Sequence, residues 1–471
     1  MIFNPDNIIK KDGNFVFSGK VFAKAHKCLN KDVIKEFWFG HTYRTGELEI
    51  TETDKLVFCV GEAEFLPLDG NLYSINVTEK GIALTAATET GLINGFMTLI
   101  DRINMVGFDG KTLEIAACEI KEKALVKNRM VHFCVFPETE LWELQKYIRL
   151  SGACKYSHIV LEFWGMLKLD ALKEIAWDCG FTKEQIRPLI KEAKDLGMEV
   201  IPMLNHWGHA PASRVMHGKH VVLDQNPALQ CYFSDTGWCW SVERQETRKL
   251  LKEMRDELIE VCGEGEYFHI GCDEAYDFDW KKESQEKFCQ YINEVADDLS
   301  KKGRRPIMWG DMLIAPDPEF KSTKNRYVTS APDKAKQDYI LANVSKNIVI
   351  ADWQYWAKEA PVETAFIFKN AGFDVMPAPW DCSVAESQSC IDTAMEDGIF
   401  GIMHTTWHTL TRGVSFITRT GIACFEKEIS LNRDMAPFMA KTAEKMRKVY
   451  FVDGDYEKAG WSKKQIGFFF A

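Results

Sequence analysis

The sequence predicts an α/β protein: a parallel (β/α)8 barrel, preceded by a small α+β domain and followed by a helical tail. From about residue 127, eight short apolar runs alternate with amphipathic helical segments. Two of these segments, 183–196 and 284–302, end at Gly197 and Gly303, and glycine is the usual residue at a helix C-terminus. Almost every apolar run is followed by polar or aromatic residues. Active sites of such barrels are built at that end of the strands.

The eight apolar runs define the predicted strands of the barrel. They are 128–135, 158–163, 199–204, 267–271, 305–309, 348–353, 374–378 and 399–404. Eight strand–helix units over about 300 residues fit a (β/α)8 barrel. The alternative is an open, doubly wound sheet, but no glycine-rich phosphate loop follows the first strand.

The N-terminal region differs in character from the barrel. Segments 48–51 and 73–77 alternate apolar and polar residues, as half-buried strands do, and 81–86 indicates a further strand. A helix is predicted over 91–106, where apolar residues share one face. We therefore divide the chain into an accessory α+β domain (1–122), a catalytic barrel (123–428) and a C-terminal helical segment (429–471).

Composition narrows the class of protein. The chain has 471 residues, of which 46% are hydrophobic, and this is enough for a large core. A formal net charge of −11 argues against nucleic acid or an anionic membrane as a partner. No signal peptide or membrane-length apolar run is visible, and the 14 cysteines include no C-x-x-C pair. We expect a cytoplasmic protein with reduced thiols, either a monomer or a homodimer.

The most informative motif is the pair of adjacent carboxylates, Asp273 and Glu274, directly after the fourth predicted strand. A solvated acidic loop is the alternative explanation. Glycoside cleavage needs an acid for the leaving oxygen and a group that stabilises the oxocarbenium-like centre. Side chains of adjacent residues diverge, so one carboxylate can reach the leaving oxygen while the other contacts a substituent of the sugar. This arrangement suits substrate-assisted catalysis, in which the 2-acetamido oxygen is the nucleophile.

Tryptophans follow or end four successive predicted strands. They are Trp309, Trp353, Trp380 and Trp407. Barrel interiors favour Val, Ile and Leu, although any single Trp is often largely buried by packing. Flat aromatic walls beside carboxylates, with few basic groups, suit a neutral pyranose ring rather than a phosphorylated substrate.

A metal site is the main chemical alternative at the strand ends. His206 and His209 with Asp273 offer possible ligands, but no H-x-H ends the first strand and no barrel Lys or Cys completes the set. We predict no metal and no organic cofactor.

The segment 269–274, His-Ile-Gly-Cys-Asp-Glu, resembles the signature of the family 20 β-N-acetylhexosaminidases. The order of the barrel elements is similar to that family, and the run from 71–75 to 98–100 is similar to its accessory domain. Cys272 and Glu162 make the chain most similar to the hexosaminidase D branch. The resemblance implies a retaining exo-enzyme that removes terminal β-linked GlcNAc or GalNAc from glycans or glycoconjugate fragments.

The resemblance also implies roles for particular residues. Glu274 is the expected general acid and later base, and Asp273 the group that orients the acetamido N–H. Arg129 is expected to bind ring hydroxyls, with a salt bridge at the barrel bottom as the alternative. His209 is expected beside the site, and the four tryptophans around the sugar, with Trp407 under its face. The further expected substrate-binding residues are Glu162, Tyr355 and Asp381.

Several positions depart from the family pattern. Asn205 stands where members have an acidic residue four positions before the His. Asp381, rather than a Tyr, follows Trp380, which leaves Tyr355 as the nearest group for the acetamido oxygen. No Glu follows two residues after Trp407, so GlcNAc against GalNAc preference stays open. Two other functions are possible: an acetamido-sugar glycosidase with endo or biosidase action, and a non-catalytic sugar-binding barrel.

Overall fold

The computed structural model describes residues 8–106, 110–211, 222–317, 320–407, 410, 413–426 and 434–449. Two sheets organise these residues: a mixed N-terminal sheet and a parallel barrel. None of the helices in these ranges combines the length and apolar character that a membrane span requires.

The N-terminal sheet contains eight strands. They are β1 (Ile8–Phe17), β2 (Lys20–His26), β3 (Glu47–Thr53), β4 (Val57–Gly61), β5 (Tyr73–Thr78), β6 (Gly81–Ala86), β7 (Asn104–Met105) and β8 (Leu113–Glu122). Their order is β1-β8-β5-β6-β4-β2-β3, and β7 pairs with β8. Helices α1 (Lys31–His41) and α2 (Glu89–Ile100) accompany the sheet. The helix predicted to reach residue 106 ends earlier, since Asn104 and Met105 pair with β8 instead.

The barrel also contains eight strands, and all its pairings are parallel. They are β9 (Asn128–Cys134), β10 (His158–Glu162), β11 (Glu199–Met203), β12 (Tyr267–His269), β13 (Arg305–Trp309), β14 (Val349–Asp352), β15 (Asp374–Pro377) and β16 (Gly401–His404). They run β15-β14-β13-β12-β11-β10-β9-β16. The seam between β15 and β16 is joined by two backbone bonds, Phe400 N–H to Val375 O (2.9 Å) and Thr405 N–H to Pro379 O (2.8 Å). The predicted (β/α)8 barrel is confirmed as a nearly closed one.

Helices connect the barrel strands. They are α3 (Leu141–Ala153), α4 (Lys183–Asp195), α5 (Val222–Gln225), α6 (Gln245–Cys262), α7 (Lys282–Lys301), α8 (Lys334–Asn343), α9 (Glu363–Asn370), α10 (Val384–Ala394) and α11 (Val414–Ala423). Thr182 and Gln185 form a capping box at the start of α4, which satisfies backbone N–H groups at that helix end. A last helix, Ala436–Val449, packs against α1, α3 and α11 outside the barrel. The rest of the predicted 429–471 segment lies largely outside the described residues, and the domain boundaries stay a prediction.

Inward-facing side chains fill the lower barrel with apolar bulk. Met130, Val160, Ile201, Ile307 and Val349 belong to one fully buried cluster at its centre. Successive strand residues point to opposite faces, so the same phase places inward-facing residues at the mouth of the barrel, at the final residue of a strand or one or two residues beyond it. The polar and aromatic residues of the candidate site follow this phase.

Candidate active site

The two adjacent carboxylates lie in a tightly folded loop after β12. Glu274 has a positive φ of 46°, and Gly271 has one of 64°. A Cβ on Gly271 would lie 1.8 Å from Asn205 Oδ1, and one on Gly208 would lie 1.8 Å from the Asp273 carbonyl oxygen. Glycine at both positions therefore lets the loops after β11 and β12 meet without side chains between them.

His209 links the two carboxylates. Its Nε2 lies 2.8 Å from Glu274 Oε2 and 3.3 Å from Asp273 Oδ2. The Asp273 side chain is 7% exposed and that of Glu274 is 26% exposed, so the first is the deeper of the two. Trp238 packs its ring 4.5 Å from the His209 ring and donates its Nε1–H to the Glu274 carbonyl oxygen at 2.6 Å. Three predicted residues thus meet at one point, and Trp238, from the connection between β11 and α6, packs against them.

A third carboxylate, Asp311, lies directly behind this pair. Its Oδ2 accepts the Glu274 backbone N–H and the Ser330 hydroxyl, both at 2.9 Å. Its Oδ1 accepts the Trp353 Nε1–H at 3.2 Å. Burial raises the pKa of the Asp311 carboxyl to about 6, and the charge of Glu274 adds to the rise. Asp311 follows the fifth predicted strand in the sequence. Its contact with Glu274 joins residues of two different loops, so no local sequence pattern predicts that contact.

An aromatic wall stands beside the carboxylates. The Tyr355 ring centroid lies 5.1 Å from that of Trp353 and 5.3 Å from that of Trp380. The Trp407 Nε1–H donates to the Tyr355 hydroxyl, which also lies 3.2 Å from Thr405 Oγ1. The structure therefore brings together four of the residues predicted to bind the sugar.

Trp309 does not line this wall as predicted. Its side chain is fully buried, with ring centroids at 4.5 Å from His269, 6.0 Å from His132 and 5.4 Å from Trp407. As the last residue of β13 it points into the barrel below the strand ends. Trp309 supports Trp407 from beneath instead of facing the open site.

Glu162 lies beneath the same wall in a buried polar layer. It accepts the Asn205 Nδ2–H at 2.6 Å and lies 3.0 Å from His132 Nε2. The His132 ring is 4.8 Å from the Trp407 ring. Asn205 therefore bonds to Glu162, and His209 is held by Asp273 and Glu274. No local pattern marks His132 as part of the site, because its place below Trp407 depends on closure of the barrel.

Asp381 lies next to Trp380 at the rim. Burial raises the pKa of the neighbouring Glu386, and the Asp381 charge adds to that rise. Glu386 accepts the Trp380 backbone N–H at 3.2 Å, which fixes the start of this loop. A role for Asp381 in binding stays a prediction.

The predicted sugar-binding role of Arg129 is wrong. Its Nε–H donates to Lys155 O at 2.9 Å, and Nη1 donates to Val126 O at 3.0 Å and Lys127 O at 2.7 Å. Arg129 is the second residue of β9, and its guanidinium lies 4.7 Å from the Phe425 ring. It points outward at the barrel bottom because Met130, the next residue, points inward. The contacts at that end are carbonyl hydrogen bonds and a cation–π contact.

Replacing Arg129 by Met is expected to lower the free energy of unfolding by about 3 kcal/mol, because three carbonyls, two of them buried, lose a charged donor. Urea unfolding measures this loss, and steady-state kinetics should show an unchanged KM. Arg305→Met is the matched control, since Arg305 also begins a barrel strand but bonds at the surface to Asn347 O and Asp374. A raised KM with unchanged stability would contradict this structural role and support the predicted binding of sugar by Arg129.

Comparison with known proteins agrees with this geometry. Residues 160–411, just over half of the chain, match the model of the glycosyl hydrolase family 20 catalytic domain. The chain is 21% identical over 308 residues to a lacto-N-biosidase of Bifidobacterium bifidum, matching 62% of this chain and 25% of that protein. It is 24% identical over 358 residues to a β-hexosaminidase of Porphyromonas gingivalis, matching 63% of this chain and 43% of that protein. The chain thus spans less than half the length of either relative.

Solved structures show the same fold. An exo-β-N-acetylglucosaminidase from Vibrio harveyi, in complex with N-acetylglucosamine, aligns with a TM-score of 0.68 at 15% identity, covering 98% of this chain and 78% of that one. A β-N-acetylhexosaminidase from Bacteroides fragilis aligns with a TM-score of 0.60 at 17% identity, covering 98% and 94%. Taken with the catalytic-domain match, these findings show that the chain belongs to glycosyl hydrolase family 20.

Proposed function

We propose that this protein is a retaining exo-β-N-acetylhexosaminidase that removes terminal β-linked GlcNAc or GalNAc by substrate-assisted catalysis. The observation that supports this most is the geometry of the adjacent pair. Asp273 is the deeper carboxylate and Glu274 the more exposed one, and both contact His209. A deep carboxylate suits a substituent of the bound sugar, whereas an exposed one suits the leaving oxygen.

The reaction proceeds in two steps. In the first, the Asp273 carboxylate accepts the acetamido N–H, the acetamido oxygen attacks C1, and the glycosidic C–O bond breaks as Glu274 donates its proton to the leaving oxygen. In the second, the Glu274 carboxylate removes a proton from water, which attacks C1 and opens the oxazolinium ring. Two inversions at C1 give net retention, and Asp273 offsets the positive charge of the intermediate.

Tyr355 is our proposed partner for the acetamido oxygen. Its hydroxyl oxygen accepts the Trp407 Nε1–H. Its own proton faces Thr405 Oγ1 at 3.2 Å and would turn to a bound acetamido oxygen. Burial raises the pKa of this phenol well above its ordinary value, so it remains a donor at neutral pH. We therefore assign to Tyr355 the role of binding the acetamido oxygen, which in the family pattern belongs to a Tyr at the position of Asp381.

The experiment that tests the function is hydrolysis of p-nitrophenyl glycosides of β-GlcNAc, β-GalNAc and β-glucose. Turnover of an acetamido sugar without turnover of glucose supports the proposal and gives the preference at the 4-hydroxyl. Turnover of glucose at a similar rate would contradict substrate assistance. No turnover, combined with binding of N-acetylglucosamine-thiazoline, would favour the non-catalytic sugar-binding barrel.

A biosidase is the second candidate, because one of the sequence relatives is named a lacto-N-biosidase. A p-nitrophenyl glycoside of the disaccharide lacto-N-biose separates the two activities. An exo-hexosaminidase releases no p-nitrophenol from this substrate alone, because the outer galactose blocks the GlcNAc. Release of intact disaccharide would assign the biosidase activity.

A further inference from the structure

Asp311 contacts both Glu274 and Trp353, a residue of the aromatic wall. Its Oδ2 accepts the backbone N–H of Glu274 at 2.9 Å, and its Oδ1 accepts the indole N–H of Trp353 at 3.2 Å. Ser330 adds a third donor at 2.9 Å, and the residue is 1% exposed. One carboxylate therefore joins the general acid's main chain to the aromatic wall.

Glu274 needs such a restraint. Its positive φ of 46° lies in the left-handed region, which side-chain-bearing residues adopt at a cost. A charged acceptor on its N–H is stronger than a neutral one, and here the acceptor is a carboxylate that is only 1% exposed. The bond fixes the direction in which the Glu274 side chain leaves the main chain.

We propose that Asp311 is a positioning residue that holds Glu274 in its strained conformation and, through its negative charge, keeps the Glu274 carboxyl protonated for its role as acid. This inference rests on the proposed function of Glu274. Asp311 itself reaches neither the sugar nor the leaving group, because its carboxylate oxygens are occupied by Glu274, Ser330 and Trp353.

The other titratable groups around this carboxylate have distinct states. Asp273, Cys272 and Tyr276 come from the loop after β12, and His209 contacts Asp273 and Glu274 from the loop after β11. Burial raises the pKa of the Cys272 thiol and of the Tyr276 phenol, so neither carries charge near neutral pH. Repulsion disfavours a state in which Asp311 and Glu274 are both ionised. The three donors to Asp311 stabilise its ionised form, which leaves the proton on Glu274.

The test is the pH dependence of kcat/KM for the Asp311→Asn protein with an aryl β-GlcNAc substrate. Asn keeps the shape and one acceptor oxygen but removes the charge. The alkaline limb, which reports loss of the acid's proton, is expected to move down by about 1 pH unit. A limb that stays at the wild-type position would overturn the proposal even if the overall rate fell.

Asp352→Asn is the matched control. Asp352 is also fully buried, accepts from Thr364 and Gln354, and has its pKa raised to about 6 by burial. Neither of these partners belongs to the candidate site. The same substitution there should leave the pH profile unmoved, and an equal shift in both proteins would indicate a general structural effect.

A second measurement does not require Asp311→Asn to fold. Infrared titration of 13C-aspartate-labelled protein, in the Asp352→Asn background, follows the ionisation of Asp311. Glu274→Gln is expected to lower this titration midpoint, since coupling between two sites is reciprocal. An unchanged midpoint would overturn the proposal. The midpoint could also fall although the wild-type protein cleaves no acetamido sugar. That result would support the coupling between Asp311 and Glu274 and would reject the proposed function.

Discussion

Glu274→Gln is expected to reduce kcat/KM about 1,000-fold on a β-linked GlcNAc disaccharide, because a positioned general acid contributes rate factors of about 100 to 10,000. The loss on the p-nitrophenyl glycoside should be smaller. p-Nitrophenolate is a stable anion and leaves without help from a proton, whereas a sugar alkoxide does not. Steady-state kinetics on both substrates therefore measure the acid role and not only the presence of a polar side chain.

The control for this variant is Glu266→Gln at the opposite end of the same strand. Glu266 is exposed, immediately precedes β12 and accepts from the Tyr267 hydroxyl at 3.0 Å. It should retain wild-type kinetics on both substrates. Equal losses for Glu274→Gln on the two leaving groups would show that Glu274 acts on something other than the leaving oxygen.

The sequence predicted the barrel well because strand periodicity and helix ends are local properties. β10 was expected over 158–163 and is found at His158–Glu162, and β12 was expected over 267–271 and ends at His269. The early end of β12 has a physical cause. Ile270 N–H and Gly271 O still bond to β13, and the chain turns away toward the loop after β11 at Gly271, whose φ is positive.

The errors in the predicted positions of site residues have two sources, the phase of a strand and the contacts between strands. Family resemblance placed Arg129 in the sugar site, but the alternation of β9 turns it outward to Lys155 O at the barrel bottom. Trp309 has the correct phase but lies too deep to face a ligand. Burial depth depends on how far each strand reaches up the barrel, and a single strand's sequence does not contain this information.

The contacts of Asp311 and His132 were not predicted, for the same reason. Each acquires its position through residues far away in the chain, Asp311 through Glu274 and His132 through Glu162 and Trp407. Asn205 shows the converse case. The resemblance marks it as a departure from an acidic family pattern, but only the fold shows that its amide bonds to Glu162.

Asp273→Asn is expected to lower kcat at least about 100-fold on acetamido substrates, as does the loss of a preorganised electrostatic partner in other enzymes. The reason differs from that for Glu274. The charge of Asp273 is needed when the acetamido nitrogen becomes positive, so the loss should be equally large for p-nitrophenyl and sugar leaving groups. The matched control is Asp277→Asn, an exposed residue of the same loop that bonds to Thr236 at 2.8 Å.

Inhibitor binding separates the two carboxylates further. N-acetylglucosamine-thiazoline resembles the cyclised intermediate, and Asp273 should contact its ring nitrogen directly. Asp273→Asn is therefore expected to weaken thiazoline binding strongly, while Glu274→Gln should change it little, since no leaving group is present. If Asp273→Asn hydrolysed acetamido substrates at a near-wild-type rate, substrate assistance would be excluded. Glu274 would then need a different nucleophilic partner, and the deeper carboxylate of the pair would have only a structural role beside His209.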